Sequence, residues 1–218
     1  MPDLSRFGAA VRAWAAGGPD ASEAAAVAGA LARDGLAAVV LVEGVSDQGA
    51  LEALAVRRHR DLAGDGVCVL PIGGAMAADR FLRILGRSGL NIDIRGLCDE
   101  AEERFFRRGL EQAGLGAGLT RQAMESRGFF VCVADLEDEL IRALGIAGVE
   151  RVLAAEGDLA RFRVFQNQPA QRGRPIERQL HRFMGTTGGR KAKYARAFVE
   201  VLEPDRVPRP LDRVLAAV

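Results

Sequence analysis

Four short apolar runs, each followed by a helix-like stretch, restrict this chain more than any other feature. They are "LAAVVLV" (36–42), "GVCVLPI" (66–72), "NIDIRGLC" (91–98) and "GFFVCV" (128–133). Near-continuous apolar runs of this length suit strands buried on both faces. The segments 46–60, 75–89, 100–114 and 135–145 carry helical spacing, with Ser46 expected at the cap of the first and Asp47 in its first turn. Strands alternating with helices of this size imply βαβ units and a parallel sheet. The expected fold class is therefore α/β, a Rossmann-like, four-stranded parallel sheet flanked by helices.

Two further helices precede the first strand. Leu4, Phe7, Ala10, Val11 and Trp14 keep helical spacing over 4–16, and "GGPD" separates them from a second helix at 21–34. Beyond residue 146 the pattern is helical, interrupted at 166–175 and 185–190. It closes with Pro204, Pro208 and Pro210 around a short final helix. This divides the chain into an N-terminal helical segment (1–35), a core (36–146) and a helical C-terminal extension (147–218). The N-terminal helices suit either a homodimer contact or the cover of a sheet face.

No apolar stretch approaches the length that spans a bilayer, and no signal core follows a charged head, so a cytoplasmic protein without membrane contact is expected. Cys68, Cys98 and Cys132 are odd in number and lack metal-binding spacing, which makes them small buried hydrophobes. His59 and His181 are too isolated to form a zinc site and are read as surface or packing residues. Net charge is only +1, so charge as a whole does not mark a nucleic-acid binder. Its distribution is more informative. Between Arg172 and Arg196 the basic residues Arg174, Arg178, Arg182, Arg190, Lys191 and Lys193 meet the single acid Glu177, while acids crowd 98–103 and 135–139. Lys191 and Lys193 are the only lysines in a chain that otherwise uses Arg. A compact ammonium does what a planar guanidinium does not, so at least one lysine is chosen for its chemistry.

In open parallel sheets, ligands bind beyond the carboxyl ends of the strands. The first run ends at Glu43, with Asp47 a turn later. The second ends in "PIGG", whose Gly73 and Gly74 let backbone approach a ligand. The third ends at Asp99, followed by Glu100, Glu102 and Glu103, and the fourth at Asp135, followed by Glu137, Asp138 and Glu139. Singly, Asp47, Glu100 and Asp138 suit the first turn of a helix, and Asp99 and Asp135 suit caps. Together they place acid from three strands on one rim. Like charges so close need a cation between them, and oxygen donors without His or Cys favour one or two Mg²⁺ or Mn²⁺ ions.

"LVEGVSD", the glycine turn, the acid after the third strand and "DLEDEL" together resemble the TOPRIM (topoisomerase–primase) domain, in the form found in OLD-family (overcoming lysogenisation defect) nucleases. The resemblance spans 37 to about 200. It implies Mg²⁺- or Mn²⁺-dependent cleavage of DNA, with Glu43, Asp47, Asp99, Asp135 and Glu137 as metal ligands. It also implies a late lysine near the scissile phosphate, Lys191 first and Lys193 in reserve. Two departures stand out. The family's second Asp after the third strand would fall at Ala101, with Glu102 as the substitute ligand. The ATPase that OLD proteins couple to this domain needs a P-loop, which neither lysine supplies, so any ABC-type ATPase would be a separate partner.

The resulting expectation is a stand-alone TOPRIM nuclease: an endonuclease or nickase with Glu43 and Lys191 catalytic, and Arg174, Arg178, Arg190 and Lys193 along the DNA backbone. A transesterase would need Tyr194, the only tyrosine, as nucleophile, and its spacing suits core instead. Two alternatives stay open. One is a non-catalytic DNA-binding or regulatory module that has lost a metal with Ala101. The other is a doubly wound domain binding a small phosphorylated ligand at "PIGG".

Overall fold

In the computed structural model, which describes residues 3–218, the apolar runs become β1 (Ala38–Val42), β2 (Val67–Pro71), β3 (Asp93–Asp99) and β4 (Phe129–Cys132). All pair in parallel, in the order β2-β1-β3-β4. Ala38 lies opposite both Val67 and Asp93, so β1 is central. The sheet grows to one side from β1 to β2 and to the other with β3, so the switch point falls between β1 and β3. Gly96 of β3 is tied to its neighbour, since a Cβ there would lie 2.5 Å from the Phe129 ring.

Side chains alternate along β1 because successive residues face opposite ways. Ala38, Val40 and Val42 join one buried cluster, Val39 and Leu41 the other. The first face is covered by α3 (Val45–Arg57), α7 (Leu136–Ala155), α8 (Leu159–Gln166), α9 (Ile176–Met184), α10 (Arg190–Val201) and α11 (Arg209–Ala216). Leu51, Leu140, Phe162, Leu180, Phe198 and Val214, one from each of these helices, are buried in this cluster. The opposite face holds α1 (Leu4–Ala16), α2 (Ala21–Arg33), α4 (Ala78–Leu85), α5 (Glu103–Gln112) and α6 (Arg121–Glu125). Phe7 and Val11 of α1 pack there among Leu41 and Leu70, so the N-terminal helices cover a sheet face. Burial on both faces explains why the strands read as unbroken apolar runs.

Three local features differ from the sequence reading. α3 is capped at Gly44, not Ser46, because the Asp47 carboxylate accepts the Gly44 amide at 2.9 Å. The fourth expected helix continues past residue 145 as α7, with a break at Gly145 (φ 68°). α6 has no counterpart in the hydrophobic pattern; the Thr120 hydroxyl caps it by accepting the Ala123 amide. The three cysteines are free and buried. Among the described residues no helix is long and apolar enough to cross a membrane.

Tyr194 is a core residue. It is 1% exposed, and its hydroxyl donates to Asp158 Oδ2 at 2.9 Å. Asp158 is held below the usual carboxylate range by Arg161 first and then by this hydroxyl. Tyr194→Phe leaves part of a buried carboxylate unpaired, which costs about 1–2 kcal/mol. Urea unfolding checks this, and any DNA cleavage should be unchanged; loss of cleavage with unchanged stability would return Tyr194 to the list of nucleophiles.

Candidate metal centre

Glu43 follows β1 directly, and backbone fixes where it sits. The Gly73 and Gly74 amides after β2 both point at the Glu43 carbonyl, at 3.1 and 3.3 Å. Their positive φ values, 75° and 115°, are the reason glycine is used there. The turn expected to cradle a ligand therefore anchors Glu43, and its amides are spent. This removes the basis for a phosphate site at "PIGG".

Tertiary contacts then sort the many acids of the rim. Arg121 takes Glu100 and Glu103, at 3.0 and 2.6 Å. Arg142 takes Asp138 and Glu139, at 2.6 and 2.9 Å. The remaining acids form two groups. In the first, Glu43, Asp99 and Glu102 bring carboxylate oxygens within 4.8 Å of one another. In the second, Asp135, Glu137 and His181 do the same. Asp47 is buried and electrostatically coupled to Glu43 and Glu137. Asp99 ends β3 and does not cap α5, whose cap position is Glu102. Ala101 is bypassed, because the turn after β3 carries Glu102 back to Asp99 through an amide–carbonyl bond of 3.0 Å.

Crowding shows in the protonation of these groups. Burial, then the hydrogen bond and charge of Glu102, raise Glu43 to about 7. Burial, followed by the charges of Glu137 and Glu43, raises Asp47 to about 7 against the pull of the Gly44 amide. Burial and the charges of Asp47, Glu43, Asp135 and Glu137 raise Asp99 to about 8. Asp135 behaves otherwise. Burial pushes it up, but His181, the Asp138 amide and Lys191 together hold it below the usual range. Each group also contains one buried oxygen with no hydrogen-bond partner, Glu102 Oε2 and Glu137 Oε1. Unpartnered buried carboxylate oxygens are costly, and a divalent cation satisfies them. The donor set thus fits the ion that the acids imply.

Two basic side chains reach the rim from the C-terminal extension. Lys191, in the first turn of α10, places Nζ 3.3 Å from Glu137 Oε2. His181 of α9 places Nε2 2.6 Å from Asp135 Oδ2. The sequence reading treated His181 as a surface or packing residue, and the structure corrects this. No local signal marked it, since 45 residues intervene between it and Asp135 and only the packing of α9 on α7 brings them together. Lys193 instead pairs with Glu156 at 2.8 Å. Arg190 turns inward, stacking 4.2 Å over Phe183 and bonding to its carbonyl. Of the expected backbone contacts, Arg174, Arg178 and Lys193 are exposed, and Lys193 is the one of these three paired with an acid. A groove of about 1000 Å³, lined in part by Gly44 and Gly73, lies between α1, α3 and β2.

The four-stranded parallel sheet thus carries acids just beyond or at the ends of β1, β3 and β4, the arrangement expected from the TOPRIM resemblance. Residues 37–100 match the family model described as "Overcoming lysogenization defect protein-like, TOPRIM domain". Over those residues the chain is similar to an OLD-like TOPRIM domain. The C-terminal region of the Xanthomonas campestris pv. campestris OLD protein superposes with a TM-score of 0.64 at 26% identity, over 82% of this chain and 90% of that one. The C-terminal region of the Burkholderia pseudomallei OLD protein shares the fold, with a TM-score of 0.61 at 22% identity over 82% of this chain and 95% of that one. Comparison with curated proteins finds no match.

Proposed function

We propose that this protein hydrolyses DNA phosphodiester bonds with Mg²⁺ or Mn²⁺, as an endonuclease or nickase. The observation that carries the reading is the pair of acid groups at the switch-point end of the sheet, each with an unpartnered buried oxygen, beside Lys191. Glu43, Asp99 and Glu102 would hold one ion, and Asp47, Asp135 and Glu137 the other. Such ions supply Lewis-acid polarisation of a phosphate and water of lowered pKa. Lys191 contributes a point charge for the phosphate oxygens, and Glu137 holds its ammonium at the rim. Arg174 and Arg178 lie exposed on the extension, suited to a nucleic-acid backbone without reading sequence. A cytoplasmic setting, a homodimer and a separate ABC-type ATPase partner belong to the same proposal.

The test is supercoiled plasmid with Mg²⁺ or Mn²⁺, beside Lys191→Ala. Relaxed or linear product is expected, reduced on the order of 10²- to 10³-fold in the variant. A second reading, a non-catalytic DNA-binding or regulatory module, draws on one feature: Ala101 stands where the family carries a ligand. DNA binding with no cleavage in either metal would favour it, and Ala101→Asp would then be the variant to make.

A further inference from the structure

The two acid groups differ in chemistry. The first is all oxygen: Glu43, Asp99 and Glu102. The second contains a nitrogen. His181 Nε2 and one oxygen each of Asp135 and Glu137 lie within 4.8 Å of one another. Glu137 is 5% exposed, and its Oε1 has no partner. Its Oε2 faces Lys191, so the two oxygens of one carboxylate have different surroundings. His181 directs Nε2 at the acids, while its Nδ1 makes no protein hydrogen bond among the described residues. Donors about 2.1 Å from one ion stand about 3 to 4 Å apart. The trio therefore needs little rearrangement to share one.

We propose that His181 Nε2 is a direct ligand of the cation held by Asp135 and Glu137, making this position selective for Mn²⁺ or another transition-metal ion over Mg²⁺. The proposal rests on the metal reading of the rim and deepens it. Magnesium is a hard ion that takes oxygen and keeps its waters, whereas imidazole suits transition metals. The first position, with oxygen donors alone, has no such preference. The centre is thus chemically asymmetric, with a Mg²⁺-tolerant position at β1 and β3 and a nitrogen-containing one where α9 meets the start of α7.

The experiment is pulsed electron paramagnetic resonance of the full chain loaded with Mn²⁺, reading ¹⁴N coupling to the metal. Unlabelled protein should show the coupling of a directly bound imidazole, and ¹⁵N-histidine labelling should change its pattern without any substitution. The chain has only two histidines, and His59 is exposed beyond the far end of α3, so His59→Gln should keep the signal. His181→Asn should abolish it, lower Mn²⁺ affinity about 10-fold or more, and leave Mg²⁺ affinity within about twofold, both by calorimetry. Mn²⁺ that binds tightly without ¹⁴N coupling overturns the ligand assignment and leaves the metal reading standing. No Mn²⁺ binding at all overturns both. The isotope comparison decides the matter even if the variant fails to fold.

Discussion

Glu43→Gln should abolish metal-dependent plasmid cleavage, on the order of 10³-fold, while making the metal-free protein more stable. Both effects come from one geometry. The backbone at residue 43 is pinned by the Gly73 and Gly74 amides, so the substitution keeps the side chain in place and removes only its charge. Glu43 and Glu102 bring carboxylate oxygens within 4.8 Å of each other, and a carboxamide at position 43 can donate to Glu102 without borrowing a proton. Repulsion with Glu102 and Asp135 disappears with the charge. We expect a melting temperature about 3 °C higher at pH 8 in EDTA, and a smaller gain from added Mn²⁺ than in wild type. Scanning calorimetry and the plasmid assay read the two halves separately. A variant that is less stable without metal would contradict the crowded-acid picture, and one that still cuts would remove Glu43 from the centre.

The metal-free protein should lose stability as pH rises from about 5 to about 8, the reverse of ordinary acid denaturation. Glu43 and Asp47 are raised to about 7 and Asp99 to about 8, from 4.5, 3.8 and 3.8. Between those limits the folded chain holds protons that the unfolded chain releases. Stability is therefore greatest below the unfolded values and falls as pH climbs through the folded ones. His181, raised by Asp135, adds in the same direction above about 6.5. Asp135 and Asp158, both lowered, act oppositely, but their contribution is complete above about pH 4 and lost only below it. A drop in melting temperature of about 5 °C or more between pH 5.5 and 8.5 is expected in EDTA. Mn²⁺ should reverse it, with a large shift at pH 8.5 and little at pH 5.5, because protons and cations compete for the same oxygens. Equal metal shifts at both pH values would show that the ion binds elsewhere.

The same residues show what was legible in the chain and what was not. Burial of a strand on both faces and the 3.6-residue period of a helix are local properties, so the alternation of four strands with helices, and with it the parallel sheet, could be read directly. Carboxylates at strand ends were legible for the same reason, since position along a strand determines which edge a residue reaches. The family resemblance then attached a chemistry to them. The partners of those carboxylates were not legible, because pairing depends on which helices meet. Arg121 and Arg142 withdraw four acids from the rim, the turn after β3 selects Glu102, and the glycine turn holds Glu43 where a ligand was expected. α9 brings in a histidine that no spacing advertised. The sequence by itself determined the layers and the acidic edge, through periodicity and burial. Only the tertiary structure decided which acids remain available and which basic side chains face them, because those choices are made by contacts between segments far apart in the chain.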